Sequence, residues 1–129
     1  MSKQDRLFES HTFAQALPLE RFKRPVLLAP HPDDEVFGAG GLLALWAQLG
    51  VPAQVLVLTG GQSQGDHTER QAESDAAAAY LGGYALEFWQ LPDRELRATP
   101  DLVERIAAYL QAQQAALVLI PGLHEPHPD

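Results

Sequence analysis

The sequence contains no cysteine among its 129 residues. This absence excludes disulfide bonds, a thiol nucleophile and cysteine-ligated zinc, so any metal site would have to use His, Asp or Glu. Basic residues are also few: 9 Lys and Arg stand against 17 Asp and Glu, giving a formal net charge of −8. Nucleic acids and anionic membranes are bound by clustered Lys and Arg, so this balance argues against both as partners.

Long apolar runs are missing as well. No stretch approaches the ~18 consecutive apolar residues of a membrane-spanning helix. The N-terminal segment MSKQDRLFES lacks the apolar core of a signal peptide. We therefore expect a cytoplasmic protein without a membrane span. Its 129 residues, of which 46% are hydrophobic, suffice for one domain with a buried core.

Four short runs rich in Val, Leu and Ile predict β-strands at residues 25–30, 53–60, 85–91 and 115–121. Three of them are almost continuously apolar, which is typical of parallel strands covered on both faces. The third run, ALEFWQL, is more mixed and favours a position nearer the edge of the sheet.

Helical patterns separate these strands. Residues 67–81 form an alanine-rich pattern with Asp66 as its expected N-cap, and Thr99 followed by Pro100 predicts the start of a third helix. The first helix is predicted from i, i+3, i+4, i+7 spacing at Leu42, Leu45, Trp46 and Leu49, before Gly50. In the third helix we expect four inward-facing residues, Leu102, Val103, Ile106 and Leu110.

The resulting order, β-α-β-α-β-α-β, predicts an α/β domain with a mainly parallel sheet over residues 25–129, preceded by an N-terminal arm or helix at 1–24. In doubly wound sheets the first three strands run in the order 3-2-1, and the fourth lies on the other side of strand 1. Ligands bind at that reversal, beyond the carboxyl ends of the strands. The loops meeting there would be HPDDE (31–35) and GLHEPHPD (122–129).

The first of these loops contains residues suited to a metal site. If Pro32 makes a tight turn, His31 and Asp34 both point into the crevice, and one imidazole and one carboxylate are good zinc ligands. Asp33 would then be placed to take a proton from metal-bound water. The structural alternative is a helix N-cap, in which Asp33 or Asp34 caps a helix beginning near Val36 and His31 is incidental.

The segment APHPDDEVFGAGGLLA strongly resembles the opening signature of the LmbE-like (PIG-L) zinc-dependent deacetylases. The resemblance continues through VLVLTGG, RQAESDAAAAYLGG, LPDREL and the terminal PHPD, and so covers residues 25–129 in order. It implies a Rossmann-like three-layer α/β/α fold and a Zn²⁺ cofactor. It also implies hydrolytic removal of an N-acetyl group from an N-acetylglucosamine-type small molecule, with a metal-bound water as nucleophile.

Matched position by position, the resemblance implies that His31 and Asp34 are metal ligands and that Asp33 is the general base. It implies that His127 stabilises the oxyanion or protonates the leaving amine. His plus carboxylate would also suit iron, manganese or cobalt.

The same resemblance implies that Arg70 and Asp93 lie near the sugar. From the residues alone, Arg70 and Glu73 also fit an ordinary surface pair on one helix, and Asp93 after Pro92 also fits a turn aspartate.

One departure from the family pattern concerns its second signature, His-Pro-Asp-His, because this sequence ends at Asp129. We therefore expect the N-terminal part of such an enzyme, with an incomplete sheet and the third metal ligand just after Asp129. An exposed edge strand would favour a homo-oligomer. Two alternatives stay open: an inactive or merely metal-binding remnant, and a receiver-like regulatory module with Asp93 after strand 3. The second expects a late lysine, and none follows Lys23.

Overall fold

The computed structural model describes residues 18–60, 67–92 and 96–122. Within the predicted N-terminal arm, the described part includes a short 3₁₀ helix at Leu19–Arg21. The indole Nε1 of Trp46 donates a hydrogen bond of 3.1 Å to the Leu19 carbonyl, which ties this segment to the core.

In these ranges the sheet has four parallel strands: β1 (Pro25–Ala29), β2 (Gln54–Thr59), β3 (Ala85–Leu91) and β4 (Leu117–Leu119). Their order is β3-β2-β1-β4, which confirms the predicted reversal at β1. The mixed strand β3 lies at an edge, as its sequence indicated.

Three helices connect the strands: α1 (Asp34–Gln48), α2 (His67–Tyr80) and α3 (Pro100–Ala112). All three were predicted, although α1 begins earlier than its leucine spacing indicated. The predicted start of α3 is confirmed, because the Thr99 hydroxyl accepts a 3.2 Å hydrogen bond from the Leu102 backbone N–H. Asp66 lies outside the described residues.

The two faces of the sheet are both covered, as parallel strands require. On β2, Val55 and Val57 face a core that includes Leu43 and Trp46 of α1. Leu56, on the opposite face, belongs to a second core. That second core also contains Tyr109, Ile106 and Leu110 of α3. The described fold is therefore the expected three-layer α/β/α arrangement.

The buried helix faces differ in part from the prediction. In α1, Leu45 and Leu49 are 48% and 51% exposed, while Leu43 is buried. Leu42 and Leu43 are neighbours in the sequence and lie about 100° apart around the helix, so the spacing of the leucines does not single out one buried face. In α3, Val103 is 54% exposed, whereas Tyr109 is buried against β2. No helix in the described ranges is both long and apolar enough to cross a bilayer.

Candidate active site

The candidate site lies at the carboxyl end of β1, where the chain turns into α1. The Asp34 N–H donates 3.3 Å to the His31 carbonyl, which makes the tight turn expected around Pro32. A groove of about 1000 Å³ opens here, lined by this turn and by residues following β4 as far as Gly122. Gly122, the first residue of the predicted loop after β4, therefore lies at the same groove as the turn after β1, and the rest of that loop, residues 123–129, lies outside the described residues.

His31 and Asp34 form a close pair in this turn. Asp34 Oδ2 accepts a 2.9 Å hydrogen bond from the His31 backbone N–H and lies 3.1 Å from the His31 ring Nδ1. The backbone contact holds the carboxylate beside the imidazole, because both groups belong to one short turn. A ring nitrogen and a carboxylate oxygen therefore converge at the mouth of the groove.

This pair fits two positions of a metal site. Ligand atoms in a tetrahedral zinc site lie roughly 3.3 Å apart when each is about 2.0 Å from the ion. The observed 3.1 Å between Nδ1 of His31 and Oδ2 of Asp34 is close to that separation. In the described part of the chain no three His, Asp or Glu side chains are grouped to hold a metal, so a third ligand would have to lie elsewhere.

Asp33 occupies the N-cap position of α1, but its side chain makes no capping hydrogen bond. The helix starts instead on the Asp33 backbone carbonyl, which accepts hydrogen bonds from Val36 (3.1 Å) and Phe37 (3.0 Å). The carboxylate points away to Arg70, whose Nη2 lies 3.0 Å from Oδ2. The proposed alternative of an Asp33 side-chain cap is therefore wrong, because the backbone conformation directs the carboxylate elsewhere.

Arg70 lies in the first turn of α2 and contacts the β1–α1 turn. Besides Asp33, its Nη2 donates 3.3 Å to the Pro32 carbonyl. The Arg70–Glu73 contact is longer, at 3.9 Å from Nη1 to Oε2. The principal partners of Arg70 are therefore in the turn after β1, and the surface-pair interpretation accounts for only its weaker contact.

Glu35 is completely buried beneath this turn. No described residue provides either carboxylate oxygen with a hydrogen bond of good geometry, and the nearby hydroxyls of Ser74 and Tyr84 are also unpaired. Burial raises the pKa of Glu35, and the charge of Asp33 adds to this; weaker interactions with backbone N–H groups and Ser74 oppose it. Burial, with the Glu35 charge, also raises the pKa of Tyr84 to about 12.

The sequence interpretation missed the buried cluster of Glu35, Ser74 and Tyr84. A serine in the alanine-rich face of α2 was the available signal, since a polar residue there must face either solvent or another buried polar group. Two predicted site residues, Asp93 and His127, lie outside the described residues, so their placement remains a prediction.

Known proteins similar to this chain include both deacetylases and a hydratase. A 4-oxalmesaconate hydratase of Pseudomonas putida is 31% identical over an alignment of 119 residues, and the match covers 81% of this chain and 46% of that protein. A diacetylchitobiose deacetylase of Thermococcus kodakarensis is 27% identical over an alignment of 124 residues, and the match covers 87% of this chain and 46% of that protein. The chain thus spans about half the length of these relatives.

A solved structure supports the same fold. The N,N'-diacetylchitobiose deacetylase of Pyrococcus horikoshii, in complex with an inhibitor, superposes with a TM-score of 0.78 at 23% identity. The match covers 99% of this chain and 54% of that protein. The family profile described as PIG-L, GlcNAc-PI de-N-acetylase, matches residues 26–129. Because this match extends over most of the sequence, the chain belongs to the PIG-L (LmbE-like) family.

Proposed function

We propose that this chain carries part of a metal-dependent N-deacetylase site that hydrolyses the acetamide of an N-acetylated amino sugar. The observation that carries the proposal is the grouping of Asp33 beside the His31–Asp34 pair at one end of the groove. Membership of a family described as a de-N-acetylase supports it. Two of the relatives named above are deacetylases of diacetylchitobiose.

His31 and Asp34 would hold a divalent cation, with Zn²⁺ as the expected ion and a third ligand from outside the described residues. Such a cation supplies Lewis-acid polarisation of the acetyl carbonyl and lowers the pKa of bound water. Arg70 engages Oδ2 of Asp33, and in this proposal the other carboxylate oxygen, Oδ1, would face the ligand. Oδ1 is therefore the atom that we propose accepts the proton of the attacking water.

The amine product needs a proton as the C–N bond breaks, and acetate forms with the oxygen of water. We propose His127 for stabilising the oxyanion or delivering that proton, as the resemblance implies. Asp93 is proposed to contact the sugar on the same ground. The resemblance also places Arg70 near the sugar. The contacts of Arg70 with Pro32 and Asp33 instead favour a role in holding the turn after β1.

Hydratase activity is the second candidate, because the Pseudomonas relative is 31% identical. That relative acts on a carboxylate anion, as its name states. In this chain Arg70 is the single Lys or Arg among the described residues lining the groove, and it already faces Asp33. Apart from the proposed cation, which would serve either substrate, the described groove thus offers little positive charge to such an anion. A neutral acetamido sugar suits it better.

The test is acetate release from N,N'-diacetylchitobiose by the zinc-loaded chain, with hydration of 4-oxalmesaconate assayed in parallel. Asp33→Asn should lower the deacetylation rate by about 10²- to 10⁴-fold, because it removes the proton acceptor. Asp101→Asn, an exposed change on α3, is the matched control and should leave the rate unchanged.

A wild-type rate in Asp33→Asn would contradict the assignment of the base. Hydration without acetate release would favour the second candidate. Zinc content is measured in the same samples, and His31→Ala should lower it. Zinc binding with neither activity would correspond to a metal-binding remnant.

A further inference from the structure

We infer that Arg70 is a positioning residue for Asp33, and that it fixes the backbone of the β1–α1 turn as well as the carboxylate. This inference rests on the proposed function for its catalytic consequence, because the role of Asp33 as base is proposed there. Its structural part, that Arg70 determines the conformation of the turn, stands on contacts within the described residues.

Arg70 makes two contacts with adjacent parts of the turn, one to the peptide carbonyl of Pro32 and one to the side chain of Asp33. Nη2 is 3.3 Å from the Pro32 carbonyl oxygen and 3.0 Å from Oδ2 of Asp33. The Pro32 carbonyl belongs to the peptide that precedes Asp33, so one guanidinium nitrogen restrains both the peptide plane and the side chain. A planar guanidinium suits this double restraint, because its donors point in fixed directions.

The restraint acts where the backbone needs it. Asp33 has φ 80° and ψ −19°, in the left-handed region that residues with a Cβ rarely adopt. Such a conformation costs on the order of 1 kcal/mol and persists only where surrounding contacts hold it. The carbonyl of Asp33 is held by the first turn of α1, and Arg70 holds the other side of the residue.

The acidic surroundings explain why a cation is required at this point. Asp33, Asp34 and Glu35 are consecutive carboxyl groups. Asp34 is paired with the backbone and ring of His31, and Glu35 is buried beneath the turn. Without Arg70, repulsion from the neighbouring acids would favour rotation of the Asp33 carboxylate toward solvent, away from the groove.

Arg70 lines the groove, so a direct sugar-binding role would require guanidinium donors that are not already engaged by the protein. The Arg70 side chain is only 22% exposed, and its Nε is buried without a partner among the described residues. Nη2 is occupied by the turn, and Nη1 lies on the side of Glu73. The burial and direction of Arg70 therefore favour support of Asp33 over contact with substrate.

The first experiment is a double-mutant cycle on the unfolding of the whole 129-residue chain in urea, with the metal removed by chelation. The variants are Arg70→Gln, Asp33→Asn and their combination. Arg70→Gln should raise the unfolding equilibrium constant about 2- to 10-fold, as for a partly exposed ion pair with one added hydrogen bond. When Arg70→Gln is introduced into the Asp33→Asn variant, its effect on the unfolding free energy should be at most half of its effect in the wild type. Strictly additive effects would overturn the inference.

Glu73→Gln is the matched control for the cycle, because Glu73 is exposed and lies 3.9 Å from the same guanidinium. It should show little change in the unfolding constant. A loss in Glu73→Gln as large as that in Arg70→Gln would assign the stabilising role to the helix surface pair instead, against the inference.

The second experiment separates positioning from binding in the zinc-loaded chain with N,N'-diacetylchitobiose. Arg70→Gln should lower kcat by about 10²-fold, the cost of a ~1 Å misplacement, while KM stays within about threefold. Arg70→Lys should restore part of kcat, because an ammonium reaches Asp33 but cannot span both contacts. A rise in KM of about tenfold with unchanged kcat would identify a sugar contact and refute positioning.

The two experiments fail separately. If the chain binds zinc through His31 and Asp34 but releases no acetate, it corresponds to the metal-binding remnant and the proposed activity falls for this chain, while the cycle in the metal-free protein still decides whether Arg70 holds Asp33. If acetate is released but the cycle is additive, the proposed function stands and the positioning role falls.

Discussion

Replacing Glu35 with glutamine should stabilise the metal-free protein at neutral and alkaline pH, but not at about pH 4. The side chain is fully buried, and neither carboxylate oxygen has a hydrogen bond of good geometry within the described residues. Burial, and secondarily the charge of Asp33, raise its pKa above the ordinary value of 4.5. At a pH between the ordinary pKa, which applies to the unfolded chain, and the raised pKa of the folded chain, the folded chain keeps a proton on Glu35 that the unfolded chain has released. The free energy of unfolding must therefore fall as pH rises through this window.

The size of the effect follows from the environment of the side chain. A buried polar group without a partner costs about 1–3 kcal/mol, and more when it is charged. The glutamine side chain of the Glu35→Gln variant would have the shape of the protonated carboxylic acid. Its amide could donate to the hydroxyl oxygens of Ser74 or Tyr84, which are themselves buried and have no hydrogen-bond partner among the described residues. We therefore expect Glu35→Gln to gain at least ~1 kcal/mol at about pH 8 relative to wild type.

The assay is urea denaturation of chelator-treated wild type and Glu35→Gln at intervals from about pH 4 to about pH 8. The difference in unfolding free energy should grow with pH and then become constant above the raised pKa. Glu104→Gln, on the exposed side of α3, is the matched control and should show no such growth. If the unfolding free energies of wild type and Glu35→Gln differ by the same amount at every pH, the raised pKa of Glu35 is refuted.

Two further predictions concern helix ends and glycines. Thr99→Ala should lower the unfolding free energy by about 1 kcal/mol, since it removes the hydroxyl that accepts the Leu102 N–H; Thr99→Ser should retain most of it in the same urea assay. Gly41→Ala should stabilise α1 by roughly 0.5–1 kcal/mol, because its Cβ would meet no described atom. Gly82→Ala should destabilise, because Gly82 has φ +116° and its Cβ would overlap Ala47. Equal effects of the two glycine changes on the thermal midpoint would contradict this reasoning.

The strand order was predictable from the sequence because its signals are local. Apolar strands alternate with helical patterns, and the connection rules for parallel sheets then fix the reversal at β1. The extent of β4 was less predictable. Residues 115–121 were expected, but only Leu117–Leu119 pair with β1. β1 continues to Ala29, so the pairing ends on the β4 side, where Pro121 has no backbone N–H to donate to the sheet.

The site was predictable where its residues are close in sequence. His31 and Asp34 are three residues apart, and a turn at Pro32 brings them together. The contact between Arg70 and Asp33 spans α1 and β2, so no local spacing reveals it. It depends on how α2 packs beside α1. A sequence pattern specifies that packing only through the shape of the buried side chains.

The three consecutive acids after Pro32 show how one local run acquires three different environments. Successive residues at the start of a helix point about 100° apart. Asp34, the first residue of α1, thus turns back to His31, while Glu35 points into the core. Asp33 precedes the helix in a left-handed conformation, and its carboxylate meets Arg70 instead. A change that moved the start of α1 by one residue would exchange these environments. We therefore expect the backbone of the β1–α1 turn, rather than the acidic composition alone, to determine which carboxylate is available as a base.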